Sequence, residues 1–177
     1  MPDNRPTIIL LVGQKGAGKT TIGERLARKP GINFLRVEPI YLAIMQANPG
    51  LSSHDLEPLG FGAILDAIEG HASNSPAICI ETTGTAGYFP EFLRRLKASY
   101  RLRVVRVVAS EELCLTRVQK RDRTNHIPIS DERVREINRI AAEVSLAWDL
   151  EVENSEEGDE DKIAEAIADL LSAGSGG

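Results

Sequence analysis

Residues 7–20 of this chain read TIILLVGQKGAGKT, and no other stretch limits the fold as strongly. An apolar run of strand length, Thr7 to Val12, passes directly into Gly13-Gln14-Lys15-Gly16-Ala17-Gly18-Lys19-Thr20, which satisfies G-x-x-x-x-G-K-[ST] in full. Glycines allow a tight turn that aims several backbone N–H groups at phosphate oxygens. A helix from about Lys19 to Arg28 adds its positive end to the same point. Lys19 is then expected to reach the β and γ phosphates of a nucleoside triphosphate, with the Thr20 hydroxyl on magnesium. Nucleotide contacts are expected from Gly13, Gly16, Ala17, Gly18, Lys19, Thr20 and Thr21. The strand before the motif and the helix after it set it apart from an incidental glycine-rich turn. Lys15 is extra to the pattern and reads equally as a lysine over the phosphates or as a surface lysine on a tight loop.

The rest of the chain supplies the sheet that such a loop needs. Beyond Thr7–Val12, strand-like runs occur at Asn33–Val37, Ala77–Ile80, Leu102–Ala109 and Leu150–Val152, separated by helical stretches of ten residues or more. Their apolar residues are continuous rather than alternating, which implies burial on both faces. The expected fold is therefore three-layer α/β/α around a five-stranded parallel sheet. Ser110 after the fourth run, with Glu111 and Glu112 behind it, reads as a helix cap with acids in the first turn. The 177 residues suffice for one domain, expected over 1–173, with residues 174–177 as a flexible tail. Glu153–Asp161 reads as a solvated acidic loop, and 162–173 as a helix with Ile163, Ala166, Ile167, Leu170 and Leu171 on one face. Ile40–Gly60, between proline and glycine breakers, reads as a helix plus a loop and as the region of substrate contact.

Composition removes several classes of function. Acidic residues number 26 against 21 basic ones, a net charge of -5, which argues against a nucleic-acid-coating surface. Cys79 and Cys114 each sit in an apolar run and read as small core residues of a reducing compartment. No apolar stretch reaches the about 20 residues that span a bilayer, and a cytoplasmic location is expected. His54 and His71 have no ligand spacing with the cysteines, so no zinc site is expected.

Two carboxylates and an arginine cluster carry the remaining chemistry. Glu81 closes the third apolar run (ICIE), where a carboxylate can stand near magnesium and its waters; a charge marking the strand's end is the plainer reading. Glu38 follows the second run (FLRVE) and could accept a proton from a hydroxyl or hold that hydroxyl in line; an exposed loop acid beside Pro39 is the alternative. Arg117 and Arg121 are four residues apart, on one face of a helix, and can fold over a transferring phosphoryl group. A solvated basic face is the competing reading. His126, before Ile127-Pro128, reads more readily as a structural hydrogen-bonding residue than as an acid–base group.

In order along the chain, the phosphate loop, Glu38, IETTG, SYRLRVV, TRVQKR and NHIPIS resemble the zeta-toxin-like branch of small phosphate-loop kinases, near polynucleotide and shikimate kinases. The resemblance runs from Thr7 to about Ser155. It implies strand order 2-3-1-4-5, a mobile arginine lid around 117–130, and ATP-dependent transfer to a hydroxyl, which zeta toxins perform on an amino-sugar nucleotide. By position it assigns the phosphate-loop roles to Lys19 and Thr20, the acid of strand three to Glu81, and the lid to Arg117 and Arg121, with Arg117 and Asn154 also near the nucleotide. The sequence departs from the family where Glu38 replaces an aspartate, Asn125 a glycine, and Glu153 the aspartate of a late D-N-S element following Trp148.

These readings together describe an enzyme that moves the γ-phosphoryl of ATP-Mg to a hydroxyl of a small metabolite, nucleotide or sugar nucleotide. Catalytic roles are expected for Lys19, Glu38, Glu81, Arg117 and Arg121, with magnesium held by Thr20 and Glu81. Two alternatives stand beside it: an ATP-binding switch or ATPase regulated by a protein partner, and a polynucleotide 5′-hydroxyl kinase.

Overall fold

The computed structural model describes residues 5–121, 124 and 126–173. Five parallel strands form one sheet: β1 (Thr7–Val12), β2 (Ile32–Phe34), β3 (Ala77–Thr82), β4 (Arg101–Val108) and β5 (Leu150–Glu153), in the order β2-β3-β1-β4-β5. Seven helices are described: α1 (Lys19–Leu26), α2 (Val37–Ala47), α3 (Ser53–Ala72), α4 (Phe89–Ser99), α5 (Glu111–Lys120), α6 (Asp131–Glu143) and α7 (Asp159–Ala173). Class, parallel direction and strand order all agree with the sequence-based expectation.

Burial explains the apolar strands. All six residues of β1 are buried, because helices cover both faces of the sheet. Ile9 and Leu11 point into a core shared with Ile22 and Leu26 of α1, Cys114 of α5 and Ile163 and Ile167 of α7. Ile8, Leu10 and Val12 point the opposite way, against Phe61, Ile64 and Ile68 of α3 and Phe89, Phe92 and Leu96 of α4. Both cysteines lie in this interior as free thiols.

Boundaries moved where local patterns compete with helix formation. The expected strand Asn33–Val37 stops at Phe34, and Val37 opens α2, so Glu38 lies in the first turn of a helix rather than in a loop. Proline disfavours a helix interior but not its first turn, where its missing N–H has no partner to lose. Ile40–Gly60 is parts of two helices joined at 48–52, and the second is capped by Ser52, whose hydroxyl accepts the Asp55 N–H. The third strand runs on through Glu81 and Thr82. Ser110 caps α5 as expected, accepting the Leu113 N–H. The acidic stretch divides: Glu153 ends β5, while Asp159, Glu160 and Asp161 form the first turn of α7. The expected tail at 174–177 lies outside the described residues.

Candidate active site

Because β1 has β3 on one side and β4 on the other, the chain leaves it at the point where the strand order reverses, the usual crevice of open α/β sheets. The loop at 13–18 fills that point and ends on the N-terminus of α1. Gly16 and Gly18 have φ of 84° and 92°, where a side chain is disfavoured. A Cβ on Gly16 would lie 2.1 Å from the Cys114 carbonyl oxygen, and one on Gly18 2.1 Å from Asn154 Nδ2. Gly16 and Gly18 are thus required twice, by conformation and by the chains packed against the loop, and Gly13 by packing alone, since a Cβ there would lie 2.2 Å from the Val107 carbonyl oxygen.

The Lys19 Nζ crosses this loop and donates to the carbonyls of Gly13 and Gln14, each at 2.7 Å. Burial lowers its pKa from 10.5 to about 8, with the nearby Glu81 carboxylate pulling the other way. The Thr20 hydroxyl lies 2.9 and 3.0 Å from the two oxygens of Glu81. A hydroxyl and a carboxylate at one point are the hard oxygen donors that suit magnesium, which ordinarily takes few protein ligands and fills its shell with phosphates and water. The donor set therefore fits the ion that the sequence motif implies.

A cavity of about 700 Å³ opens from the loop toward the β2 side. Its walls include Lys15, Gly16, Gly18, Lys19, Thr20, Thr21, Glu81, Arg117 and Arg121 at the phosphate end, and Arg36, Glu38, Tyr41, Phe61, Ile64 and His126 at the other. The Glu38 carboxylate is held from three directions. Its Oε2 lies 2.8 Å from His126 Nδ1, its Oε1 accepts the Ile127 N–H at 3.0 Å, and Lys15 Nζ is 3.6 Å away. Burial by itself would raise the Glu38 pKa; Lys15, His126 and the Ile127 N–H outweigh it and hold the group below the ordinary carboxylate range. Lys15 is therefore neither a free surface lysine nor simply a lysine over the loop: it forms an ion pair with Glu38.

Three of the expected nucleotide contacts, Gly13, Ala17 and Asn154, are not among the residues lining the cavity. Gly13 donates its N–H to the Thr82 carbonyl at 3.2 Å, and Ala17 donates its N–H to the Gln14 carbonyl, also at 3.2 Å. Neither residue lines the cavity, and Ala17 is fully buried. Asn154, expected near the nucleotide, is also fully buried, and its Nδ2 donates to the Ala17 carbonyl at 2.9 Å. These residues shape the loop from beneath. Arg117 also faces inward, with Nη1 3.0 Å from the Asn154 carbonyl and 3.4 Å from that of Gly16. Helix α5 stops at Lys120, and Arg121, expected on the same helical face, is its extended C-cap beside the cavity. Of the expected lid at 117–130, residues 117–120 belong to α5, while Asp122, Arg123 and Asn125 lie outside the described residues.

Sequence reasoning missed the residue that grips the loop from outside. Asn138 of α6, only 1% exposed, accepts the Lys15 N–H and donates to the Lys15 carbonyl. The signal was present: Val134, Asn138 and Ala141 form the buried stripe of α6, and a polar residue in that stripe must find buried partners. Trp148, read near the late strand element, packs into the core on the α3–α4 face, with the Arg106 guanidinium 5.5 Å from its ring centre.

Sheet order, loop and cavity define the architecture of the small phosphate-loop kinases. Residues 8–143 match the family described as AAA domain, and the chain belongs to that family. A kinase-designated protein from Chloroflexus aurantiacus shares the fold at TM-score 0.68 and 17% identity, over 97% of this chain and 99% of its own. Shikimate kinase from Acinetobacter baumannii, solved with shikimate, aligns at TM-score 0.58 and 21% identity over 97% and 95%. A gluconokinase from Sinorhizobium meliloti aligns at 0.62 and 20% identity, again over 97% and 95%. No curated protein matches the sequence. No helix among the described residues is long and apolar enough to cross a membrane.

Proposed function

We propose that this protein is a cytoplasmic kinase that moves the γ-phosphoryl of ATP to a hydroxyl of a small molecule, within one phosphate-loop domain over 1–173. The observation that carries this reading is the cavity itself. It has the phosphate loop with the Thr20–Glu81 pair, and a carboxylate, Glu38, held by Lys15, His126 and the Ile127 N–H beside the apolar side chains of Tyr41, Phe61 and Ile64. A hydrolase acting on water alone has no need of such a second compartment.

In this reading Gly16, Gly18, Thr20 and Thr21 bind the triphosphate, Lys19 and Arg121 neutralise charge on it, and Arg117 holds the loop and the β5 end together. Thr20 and Glu81 would hold magnesium, which when bound draws charge from the β and γ oxygens. The acceptor's hydroxyl oxygen forms a bond to the γ phosphorus while the bond to the β–γ bridging oxygen breaks, leaving ADP. Glu38 orients that hydroxyl. A carboxylate has about four lone-pair sites, and those left over after His126 and Ile127 can accept the hydroxyl's hydrogen. Its lowered pKa suits a group that holds the proton in line and receives it late. The test is transfer of label from γ-labelled ATP with magnesium into a small-molecule extract. Label in a discrete metabolite, lost in Glu38→Gln, supports the kinase; free phosphate alone, unchanged in Glu38→Gln, removes it.

One feature favours a second reading, an ATPase regulated by a partner protein. Helix α2 is mostly apolar yet has no buried residue, and Leu51 and Leu59 nearby are exposed. Pure protein that hydrolyses ATP without a small acceptor, and is inhibited or stimulated by a co-purifying chain, would support it. The polynucleotide kinase reading is opposed by the net charge of -5.

A further inference from the structure

Lys15 fills one of the unspecified positions of the loop pattern, where no charge is demanded. Its placement is nevertheless closely defined. Asn138 binds both its N–H and its carbonyl, and its side chain, 17% exposed, lines the cavity with Nζ 3.6 Å from Glu38 Oε1. At that separation charge holds the pair, not a hydrogen bond. The ammonium makes no hydrogen bond among the described residues, so its three N–H groups are all still to be given.

Two other cations of the phosphate end are already committed. Lys19 gives two of its three N–H groups to the carbonyls of Gly13 and Gln14, and Arg117 donates to those of Asn154 and Gly16. A γ-phosphoryl group spreads its charge over three terminal oxygens, more than the one N–H left on Lys19 can satisfy. Lys15 acts at the same place. After burial and the Glu81 carboxylate, its charge is the next influence on the Lys19 ammonium, and it lowers that group's pKa. A phosphate that meets Lys19 therefore enters the field of Lys15, in a partly buried cavity where charges are felt more strongly than in water. A compact charge on a flexible four-carbon stem can pass from one anion to another while its backbone stays clamped.

We infer that Lys15 is a γ-phosphate ligand held by Glu38 until a triphosphate binds: the γ oxygens draw its ammonium away, and Glu38 is released to the acceptor hydroxyl. Burial acts to raise the Glu38 pKa, and Lys15 is the largest of the influences that lower it. Its withdrawal lets the carboxylate take a proton more readily once the donor nucleotide is in place. Lys15 itself neither gives nor takes a proton, and the bonds made and broken stay those of the transfer to the hydroxyl oxygen. The contact rests on the loop being a triphosphate site; only the release of Glu38 rests on the kinase reading.

The test compares nucleotides with and without a γ group. ADP and the β,γ-imido analogue of ATP, each with magnesium, are titrated calorimetrically into the full chain. Lys15→Met should weaken the analogue by about tenfold or more and leave ADP within about twofold. Lys15→Arg should restore part of the loss. Glu38→Gln should act in the opposite direction, tightening the analogue by about threefold or more with ADP unchanged, because it frees the ammonium. Equal weakening of both nucleotides in Lys15→Met would make the side chain a matter of loop shape and overturn the assignment. So would unchanged binding of both, or a Glu38→Gln protein that binds the analogue no more tightly. This last comparison stands even if Lys15→Met fails to fold. Binding of neither nucleotide by the unaltered protein would overturn the triphosphate site and the Lys15 contact together. A loss confined to the analogue, in a protein that transfers no phosphoryl group to a small molecule, would keep the contact and refute the kinase.

Discussion

Asn138 holds both backbone polar groups of Lys15: its Oδ1 accepts the Lys15 N–H at 2.7 Å and its Nδ2 donates to the Lys15 carbonyl at 3.0 Å. The two residues are 123 apart in the chain, so one side chain of α6 sets the outer turn of the phosphate loop. Asn154 adds a single bond from the inner side, its Nδ2 donating to the Ala17 carbonyl, and the loop is held between two buried amides.

Asn138→Ala should therefore act on the loop more than on the core. It leaves two peptide groups without partners, worth about 2–3 kcal/mol, or roughly 5–10 °C in melting temperature for a chain of this size. ATP affinity should fall by about tenfold or more, with acceptor affinity little changed. Calorimetric titration with ATP beside a melting curve checks this. Full ATP affinity in a destabilised Asn138→Ala protein would mean the clamp serves stability alone.

The Thr20–Glu81 pair predicts how the protein depends on magnesium. Removing one donor by Thr20→Val or Glu81→Gln should raise the magnesium concentration for half-maximal transfer by about tenfold, and lower the maximal rate by about a hundredfold. Titrating magnesium at saturating ATP gives both quantities. A Glu81→Gln protein with wild-type magnesium dependence would return Glu81 to the plainer role of a strand-end charge.

Glu38 predicts a pH dependence of stability. Its folded-state pKa lies below the ordinary 4.5 because Lys15, His126 and the Ile127 N–H outweigh the opposing effect of burial. A depressed carboxylate contributes stability that is complete above its unfolded pKa and is lost as pH falls through the folded value. Glu38→Gln should thus melt lower than the wild type at pH 6–7, by an amount of about 1–2 kcal/mol. The gap should close once the pH drops well below 4.5. Melting curves between pH 7 and 3 decide it, since a gap independent of pH would remove the charge from the explanation.

Arg117 and Arg121 should behave differently although the sequence pairs them. Arg117 donates to the carbonyls of Asn154 and Gly16, so Arg117→Ala should lower melting temperature and ATP affinity together. Arg121, at the cavity's edge, should cost about a hundredfold in transfer rate when changed to Ala, with ATP still bound. Unaltered transfer in Arg121→Ala would exclude it from the reaction.

Much of this molecule is legible because its signals are local. The strand-to-glycine-to-helix passage at Thr7–Lys19 carries its own geometry, and continuous apolar runs report burial on both faces without reference to a partner. The Ser110 cap and the acids behind it need only three neighbouring residues. What depended on tertiary structure were contacts closed across the chain, whose partners no local period can name. Glu38 reads as either an acceptor-orienting carboxylate or a loop acid, and only helix α2, beginning at Val37, brings it to His126, 88 residues on. Gly13 and Asn154 read as nucleotide contacts in the sequence, and only the fold shows Gly13 bonded to Thr82 at the end of β3 and Asn154, just after β5, bonded to Ala17. By itself the sequence determined a parallel α/β fold with a phosphate loop at its centre, since chain stereochemistry and burial period suffice for that. Only the folded chain decided which side chains meet in the cavity, because a hydrogen bond reaches about 3 Å, whereas its partners here stand tens of residues apart.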